Sequence, residues 1–493
     1  MGYVRDVMIA NYLGAKGLSD AFLVSFRLPN VFRSLFAEGA FNAAFVPMFA
    51  KITEKEAAKE FAERAFAMLL AVLLIFTIVA QIFMPAFVWL IAGGFEGAQF
   101  DLTVMLTRIT FPYLILISLV SLFGGVLNSI NRFGAVAFTP VLMNLSMIMA
   151  ILLLQGYFPN DAYAFSVGVM VSGVVQFAYL YFECKKAGYK IGLRMPRLTP
   201  DIKKLLKLML PVMLGAGVLQ INVLINTQIA SYISEGAVSV LYYADRISQL
   251  PLALIGTAIG TALLPALSRL FRESNVIEAN KTQNTAFEIA WFFSIPAAFG
   301  IMAIATPLVS ALFEHGEFKA NDTVAVTRAL LAYCLGIPAF VLMKIFTPGF
   351  YSNGDTKTPV KIAVACIACN LAISLGLINF AGFDHVALAI ATTVSSWLNV
   401  VLLCWALNRR KLFSFEPRVL KNAAKILFTS VIMYFVVVSF YGMVISKISS
   451  TISLVLSVGL GGAIFAIIAY ATNAFDKDQF KAILKRRRTK KAG

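Results

Sequence analysis

Long apolar runs separated by short polar stretches set the pattern of this chain. Runs such as Phe66 to Trp89, Leu210 to Ile233 and Ile426 to Ile445 are each long enough to cross a hydrocarbon layer about 30 Å thick. Together with their breakers they predict an all-α polytopic membrane protein of about 14 transmembrane helices. The predicted spans lie near residues 1–13, 20–48, 62–93, 102–130, 136–155, 161–183, 203–232, 236–268, 283–312, 323–351, 357–379, 384–408, 418–446 and 450–473.

The pattern repeats once along the chain. The segment TRITFPY…NRFGAVAFTP at 107–140 recurs as TRALLAY…SNGDTKTP at 327–359, and Pro47 matches Pro265 at an offset of 218. An even number of spans per repeat predicts two six-helix lobes of the same orientation, related by an axis along the membrane normal. The predicted parts are an N-lobe at 1–190, a C-lobe at 200–410, two further helices at 417–475 and a basic tail at 476–493.

The first predicted helix is short. The seventh span begins near Ile202, so the repeat places the start of its counterpart about 17 residues before Met1. The first helix is therefore expected to be truncated, and the true N-terminus to lie upstream.

Composition and loop charge agree with a membrane protein. The chain is 59% hydrophobic and 14% charged, against about 25% charged residues in soluble domains. Alternate loops beginning with 49–61, their flanking helix ends and the C-terminal tail carry 32 of the 42 Lys and Arg residues, and the opposite loops carry three. Because basic loops stay in the cytoplasm, both termini are predicted to be cytoplasmic.

Seven basic residues fall inside predicted spans. A lipid-facing charge at the bilayer centre costs about 2.5–3.5 kcal/mol on insertion scales, so most of these side chains are expected to share a hydrated, cationic interior. Arg108 and Arg328 occupy matching positions near helix ends and are expected to snorkel to the membrane surface. The seven residues are Arg5, Arg27, Arg33, Arg108, Arg246, Arg328 and Lys344.

The candidate site lies in the first helices of both predicted lobes. An arginine fork donates two parallel hydrogen bonds and keeps its charge, which suits phosphate. Arginines from both lobes therefore predict a site for a diphosphate-sized anion, with neighbouring acids holding the arginines or closing a gate. The alternative is that these charges form only inter-helix ion pairs, which stabilise poorly when buried. The candidate residues are Arg5, Asp6, Asp20, Asn30, Arg33, Glu38, Asp245 and Arg246.

Sequence motifs argue against an enzyme. The chain carries no Walker A loop, no HExxH, no His/Cys metal spacing and no nucleophile elbow, so neither catalysis nor a metal site is expected. Prolines at Pro29, Pro47, Pro251 and Pro265 lie where helices of a secondary transporter would bend between inward- and outward-facing states. Secondary transport is the function class that remains.

Several motifs resemble one known family. RDVMIANYLGAKGLSDAF, FRLPNVFRSLFAEGAFNAAFVP, LYYADRISQLP and GFYSNGDTKTPVKIA are similar to the MurJ (MviN) lipid II flippases of the multidrug/oligosaccharidyl-lipid/polysaccharide exporter superfamily. The resemblance implies a V of two six-helix lobes, with two C-terminal helices lining a lipid-tail groove. It also implies flipping of lipid II from the cytoplasmic to the periplasmic leaflet of the bacterial inner membrane by a monomer without a nucleic-acid partner.

The same resemblance bears on the site residues. Arg5, Asp6, Arg33, Glu38 and Arg246 match the family's cavity charges, and Arg5, Asp6 and Arg246 match the set proposed to engage the diphosphate. A family Ser-Arg pair would precede Met1.

The energy source is less well determined by the resemblance. Some members show a sodium site with acids on the seventh and eleventh helices, where this chain offers Asn222, Asn226, Asn370 and Ser374. No cofactor is expected; membrane potential, worth about 2.3 kcal/mol per charge per 100 mV, or a monovalent cation would drive the cycle.

Three other functions stay open from the residues alone. One is export of another polyprenyl-diphosphate-linked oligosaccharide, which uses the same arginine chemistry. Another is multidrug antiport within the superfamily, although cationic drugs need an acidic cavity. The third is a membrane scaffold, which would tolerate loss of Arg33 and Arg246.

Overall fold

The computed structural model describes residues 1–35, 41–445 and 448–474. Within these residues the chain is helical and has no β-strand, so the predicted all-α class is confirmed. The chain divides into two units. The first is Met1–Ser239 with His315–Lys319, and the second is Val240–Glu314 with Ala320–Gly493. The predicted lobe limits at 190 and 200 stay a prediction.

The first unit contains ten helices and the start of an eleventh among its described residues. They are α1 Gly2–Leu13, α2 Gly17–Arg33, α3 Asn42–Ala50, α4 Lys55–Ile82, α5 Met84–Ala92, α6 Gly97–Thr110, α7 Tyr113–Ser129, α8 Phe133–Leu154, α9 Asp161–Lys186, α10 Pro200–Ile233 and α11 Ala237–Pro251.

The second unit contains the rest of α11 and eight further α-helices in the part that the structure describes. A π-helical turn, Leu252–Gly256, follows Pro251. The α-helices are α12 Thr257–Arg272, α13 Val276–Ala303, α14 Ala305–Phe313, α15 Ala320–Tyr351, α16 Lys357–Ala381, α17 Val386–Arg409, α18 Pro417–Val444 and α19 Ser450–Ala471.

Eleven helical segments of the described chain are long and apolar enough to cross a membrane. Two of them join neighbouring helices, Gly97–Ser129 across α6 and α7 and Ala237–Arg272 across α11 and α12. The chain is therefore a multi-pass membrane protein, whereas a count of fourteen crossings stays a prediction.

Aromatic packing holds α2 in the first unit. The ring of Phe32 on α2 lies 5.0 Å from that of Phe76 on α4, 6.2 Å from that of Phe87 on α5 and 5.9 Å from that of Phe111 between α6 and α7. Such rings contribute about 0.5–1.5 kcal/mol per pair beyond their buried area. The cluster fixes α2, which carries three of the eight candidate residues.

The second unit has its own apolar core. Leu342 and Phe346 on α15 pack with Leu263 on α12, Phe287 on α13 and Leu403 on α17, all at most 5% exposed. A separate cluster joins α13, α18 and α19 through Ile295, Met433 and Phe465. α15 is thus the central helix of this unit.

Candidate functional site

A buried ion pair lies on the first helix. The Arg5 guanidinium donates from Nη2 to Asp6 Oδ1 at 2.6 Å and from Nε to the same oxygen at 3.0 Å. The two side chains are only 5% and 4% exposed. The Arg5 guanidinium carbon also lies 5.8 Å from the centre of the Phe26 ring on α2. A paired charge on α1 therefore contacts the next helix of the candidate site.

Asp20 joins α2 to the beginning of α11. Its Oδ2 accepts a hydrogen bond from Gly236 N, and its Oδ1 accepts from Ser239 N and Oγ, each at 2.7 Å. In return, Gly17 N at the start of α2 donates to Glu235 Oε1 at 2.8 Å. First-turn N–H groups have no partner within their own helix. Asp20 on α2 therefore accepts hydrogen bonds from the start of α11, and Glu235, just before α11, accepts one from the start of α2. A substrate role for Asp20 stays a prediction.

The proline of α2 is compensated from another helix. Pro29 has no N–H, so the Ser25 carbonyl lacks its usual partner four residues on. Thr110 at the end of α6 supplies the donor, with 2.8 Å between Thr110 Oγ1 and Ser25 O. One residue after the proline, Asn30 Nδ2 donates to Phe26 O at 2.7 Å. The helix around Pro29 is therefore held by a hydroxyl and an amide.

The far half of α2 contacts α10. Arg27 donates to Thr227 Oγ1, and Gln220 Nε2 donates to Ser34 Oγ at 3.0 Å, directly after the half-buried Arg33. These contacts give Arg27 a polar partner inside the first unit. The predicted site residue Glu38 lies outside the described residues.

The second unit carries Asp245 and Arg246. On α11 the Arg246 guanidinium carbon lies 4.7 Å from the centre of the Tyr242 ring, a cation–π contact. Asp245 accepts a hydrogen bond from Gln249 one turn later. Both side chains are half-buried. The structure thus places a charged pair, supported by its own helix, shortly before the π-helical turn.

The contacts described above assign the predicted residues to the two units as follows. Arg5 and Asp6 pair with each other, Asp20 binds the start of α11, and Asn30 and Arg33 lie along the second half of α2. Asp245 and Arg246 belong to the other unit.

Comparison with known proteins identifies the fold and the family together. A family model described as "Lipid II flippase MurJ" matches residues 9–459, which is most of the chain. The chain belongs to the lipid II flippase MurJ family. The predicted family resemblance is confirmed.

Relatives match over most of their length. A protein named "Probable lipid II flippase MurJ" from Rhizobium tropici is 40% identical over 99% of this chain and 94% of its own. A protein of the same name from Rickettsia prowazekii (strain Madrid E) is 38% identical over 88% of this chain and 86% of its own.

Solved structures give the same picture. "Lipid II flippase MurJ, inward closed conformation" superposes with a TM-score of 0.81 at 25% identity, over 96% of both chains. An inward-facing multidrug resistance transporter of the MATE family of the MOP superfamily superposes with a TM-score of 0.71 at 15% identity, over 83% of this chain and 93% of its own. The second likeness establishes a shared fold only.

Polar side chains that the sequence offers for a monovalent cation in this MurJ-family chain lie on α16, next to α17. Asn370 Nδ2 lies 3.4 Å from both Thr392 Oγ1 and Ser395 Oγ. Asn370 Oδ1 and Ser374 Oγ are buried without a hydrogen-bond partner among the described residues. Among the residues that the structure describes, no three His, Cys, Asp or Glu side chains lie close enough together to hold a metal ion. Dependence on a monovalent cation stays a prediction.

Sequence reasoning missed the residues that hold the site helices. Thr110 and Ser239 make the contacts described above without interrupting an apolar run, and Glu235 lies in the short loop between two predicted spans. The repeat offers a signal for one of them, because Asp20 and Ser239 are 219 residues apart, close to the repeat offset. Thr110 has no such signal, because its acceptor is a backbone carbonyl on another helix.

Proposed function

We propose that this chain translocates lipid II, the undecaprenyl-diphosphate-linked peptidoglycan precursor, across the bacterial inner membrane. The movement runs from the cytoplasmic to the periplasmic leaflet by alternating access. Membership of the MurJ family supports the substrate. The observation that carries the mechanism is the buried Arg5–Asp6 pair, because charges inside a membrane protein are costly and mark substrate pathways.

The Arg5–Asp6 pair can bind a diphosphate when the diphosphate replaces Asp6 as the acceptor for Arg5. A buried arginine that loses its carboxylate leaves an uncompensated charge, so Arg5 is held by Asp6 until another anion replaces it. Diphosphate oxygens can accept hydrogen bonds from the same Nε and Nη2 groups that donate to Asp6 Oδ1. Arg246 contributes a second positive charge on α11, with its guanidinium packed on Tyr242. Asp6 then serves as the partner to which Arg5 returns after release.

The test is complementation of a bacterium depleted of its own flippase, with lipid II sidedness read by a periplasmic probe. Arg5→Ala and Arg246→Ala are expected to reduce flipping by roughly 10- to 100-fold, since charge-assisted hydrogen bonds are worth about 1.5–3 kcal/mol. The matched control is Arg328→Ala. That arginine forms a half-exposed ion pair with Asp384 at 2.9 Å, so flipping should persist.

Two outcomes would contradict the proposal. Normal flipping by both variants at normal expression would make these arginines structural. Failure of the unmodified chain to flip lipid II, with export of another polyprenyl-diphosphate sugar, would favour the alternative exporter. A multidrug antiporter would instead lower the accumulation of cationic dyes.

The remaining features of the proposal follow the same family. The chain acts as a transporter without a resident cofactor, and membrane potential or a monovalent cation drives the cycle. Both termini lie in the cytoplasm, as the basic loops indicate. The protein works as a monomer among membrane lipids and has no nucleic-acid partner.

A further inference from the structure

An apolar cavity of about 380 Å³ opens between α4 and α10 in the first unit. On α4 it is lined by Ala65, Met68, Leu69 and Val72, which recur at the spacing of one helix face. Val72 is 45% exposed at the mouth, whereas Ala65 is 2% exposed inside. The cavity is therefore a slot between α4 and α10 that opens to the surface at Val72.

The facing wall comes from the first three turns of α10. Ile202, Leu205 and Met209 line its inner part and are at most 5% exposed, and Leu210 at its outer part is 59% exposed. With Met68 and Met213 this gives three thioether side chains, which adapt to ligands of irregular shape. The volume lies within the range of about 300–1,000 Å³ that is typical of small-ligand sites. An alkyl chain is the chemistry that these walls accept.

Three basic residues lie on the part of α10 that borders the slot. Lys207 lines the cavity itself, and Lys203 and Lys204 precede it within one turn, with Asp201 as the nearest acid in sequence. No described residue forms an ion pair with any of these lysines. The neighbouring basic residues Arg64 and Arg194 are by contrast neutralised by Glu60 and Glu63. An excess of positive charge therefore remains beside an apolar slot.

We propose that this slot binds one acyl chain of an anionic phospholipid, whose phosphate lies against Lys203 and Lys207. Phosphatidylglycerol has the required chemistry, with one net negative charge and two alkyl chains. The inference does not depend on the transported substrate. It assigns a lipid site to the α4–α10 pair, apart from Arg5, Asp6 and Arg246.

The test uses the full chain in phosphatidylcholine nanodiscs that contain a small fraction of a photoreactive lipid. The probe is phosphatidylglycerol with a diazirine in one acyl chain, and the comparison is phosphatidylcholine with the same acyl chain. Peptides of α4 and α10 are expected to take up about fivefold more of the anionic probe, the preference that a lysine near the membrane surface gives. The Lys203→Gln/Lys207→Gln variant should reduce labelling to that of the neutral probe.

The controls separate the site from general lipid contact. Lys281→Gln/Lys361→Gln removes two exposed lysines of the other unit and should leave the labelling of α4 and α10 unchanged. Val72→Trp narrows the mouth of the slot and should lower labelling of α10 without removing a charge.

Three results would overturn the proposal. The first is equal labelling of α4 and α10 by both headgroups, and the second is no effect of Lys203→Gln/Lys207→Gln. The third is displacement of the probe by undecaprenyl phosphate at equal concentration, which would assign the slot to a polyprenyl chain instead.

Discussion

Pro29 removes a hydrogen-bond donor from α2, and a single hydroxyl replaces it. Ser25 and Thr110 are both fully buried, so the Ser25 carbonyl has no water to accept from. This pairing decides how a helix with a proline remains packed against α6.

We predict that Thr110→Val lowers thermal stability in detergent. A buried carbonyl left without a donor costs about 1–3 kcal/mol, while the valine keeps the shape of threonine. The apparent melting temperature should fall by a few degrees. Thr261→Val is the control, because that exposed hydroxyl bonds only carbonyls of its own helix. Equal melting of the two variants would mean that Thr110 contributes nothing beyond its volume.

Asp355 has a lowered pKa in the loop between α15 and α16. Burial raises the pKa of this carboxyl, but hydrogen bonds from Thr358 and Arg410 and the charge of Arg410 outweigh it and lower the pKa to about 2. Because the folded pKa lies below the ordinary value of 3.8, the ionised carboxylate stabilises the fold above about pH 4. That contribution is lost as the pH falls from about 4 to 2.

We therefore expect Asp355→Asn to destabilise the protein at pH 7 and to make little difference near pH 2. Asparagine keeps the Oδ1 atom that accepts from Lys357 N and Thr358 N at 3.0 Å, so the expected loss comes from the carboxylate charge beside Arg410. Melting temperatures of both proteins, measured from pH 7 to pH 2, give the difference. Glu273→Gln, in another loop, is the charge-matched control. A difference that grows toward low pH would contradict the assignment.

At the scale of elements, α10 is fixed to the loop after α5. Gly93 N donates to Gln228 Oε1 at 2.8 Å, and Gly94 N donates to Ser231 Oγ at 3.0 Å. The backbones are so close that a Cβ on Gly94 would overlap the Ser231 carbonyl. Glycine is required here by the close approach of two elements.

Gly94→Ala should push α10 away from α5. Overpacking of this kind costs about 1–3 kcal/mol, and the obstacle is backbone, which moves only with its helix. We expect a lower melting temperature and weaker lipid II flipping at equal expression. Gly134→Ala places the same methyl group in open space and should behave like the unmodified chain. If both variants melt together, the contact between α5 and α10 is looser than described.

The helical segments were predicted better than the breaks within them. Each apolar run from 62 to 473 falls on one helix or on two successive helices. The breaks at Phe83 and Ile304 have no counterpart among the predicted boundaries, since the apolar pattern continues through them. Hydropathy reports how long a segment stays in lipid, and it is insensitive to one turn of altered backbone.

On the scale of the whole molecule, charge asymmetry predicts the orientation in the membrane. Loop 352–356 belongs to the predicted cytoplasmic set and loop 382–385 to the opposite set. Insertion follows such Lys and Arg bias. The prediction concerns the entire chain, because one misplaced span would reverse every later loop.

Single reporter cysteines test this orientation in intact cells. Phe383→Cys, at a side chain 41% exposed, should react with a membrane-impermeant maleimide added outside. Asn353→Cys should react only after permeabilisation. The unmodified chain is the background control, as its five cysteines are buried or half-buried within helices. External labelling of Asn353→Cys would invert the proposed topology.

The class of protein, the helical segments, the internal repeat and the charged residues could all be predicted from the amino-acid sequence. These properties are local, because a segment is apolar or charged whatever its neighbours are. The family motifs are local too, so the family could be read from the residues. The lipid-sized slot was not predicted, since its walls Ala65–Val72 and Ile202–Leu210 look like ordinary membrane helix.

Only the tertiary structure decided which partner each polar group has. Asp6 pairs with its neighbour Arg5, but Asp20 binds residues more than 200 positions away and Ser25 is satisfied by Thr110 on α6. The physical reason is that a buried donor or acceptor takes whichever partner the packing of helices brings within about 3 Å. Sequence patterns show which polar groups need a hydrogen-bond partner. Helix packing decides which group that partner is.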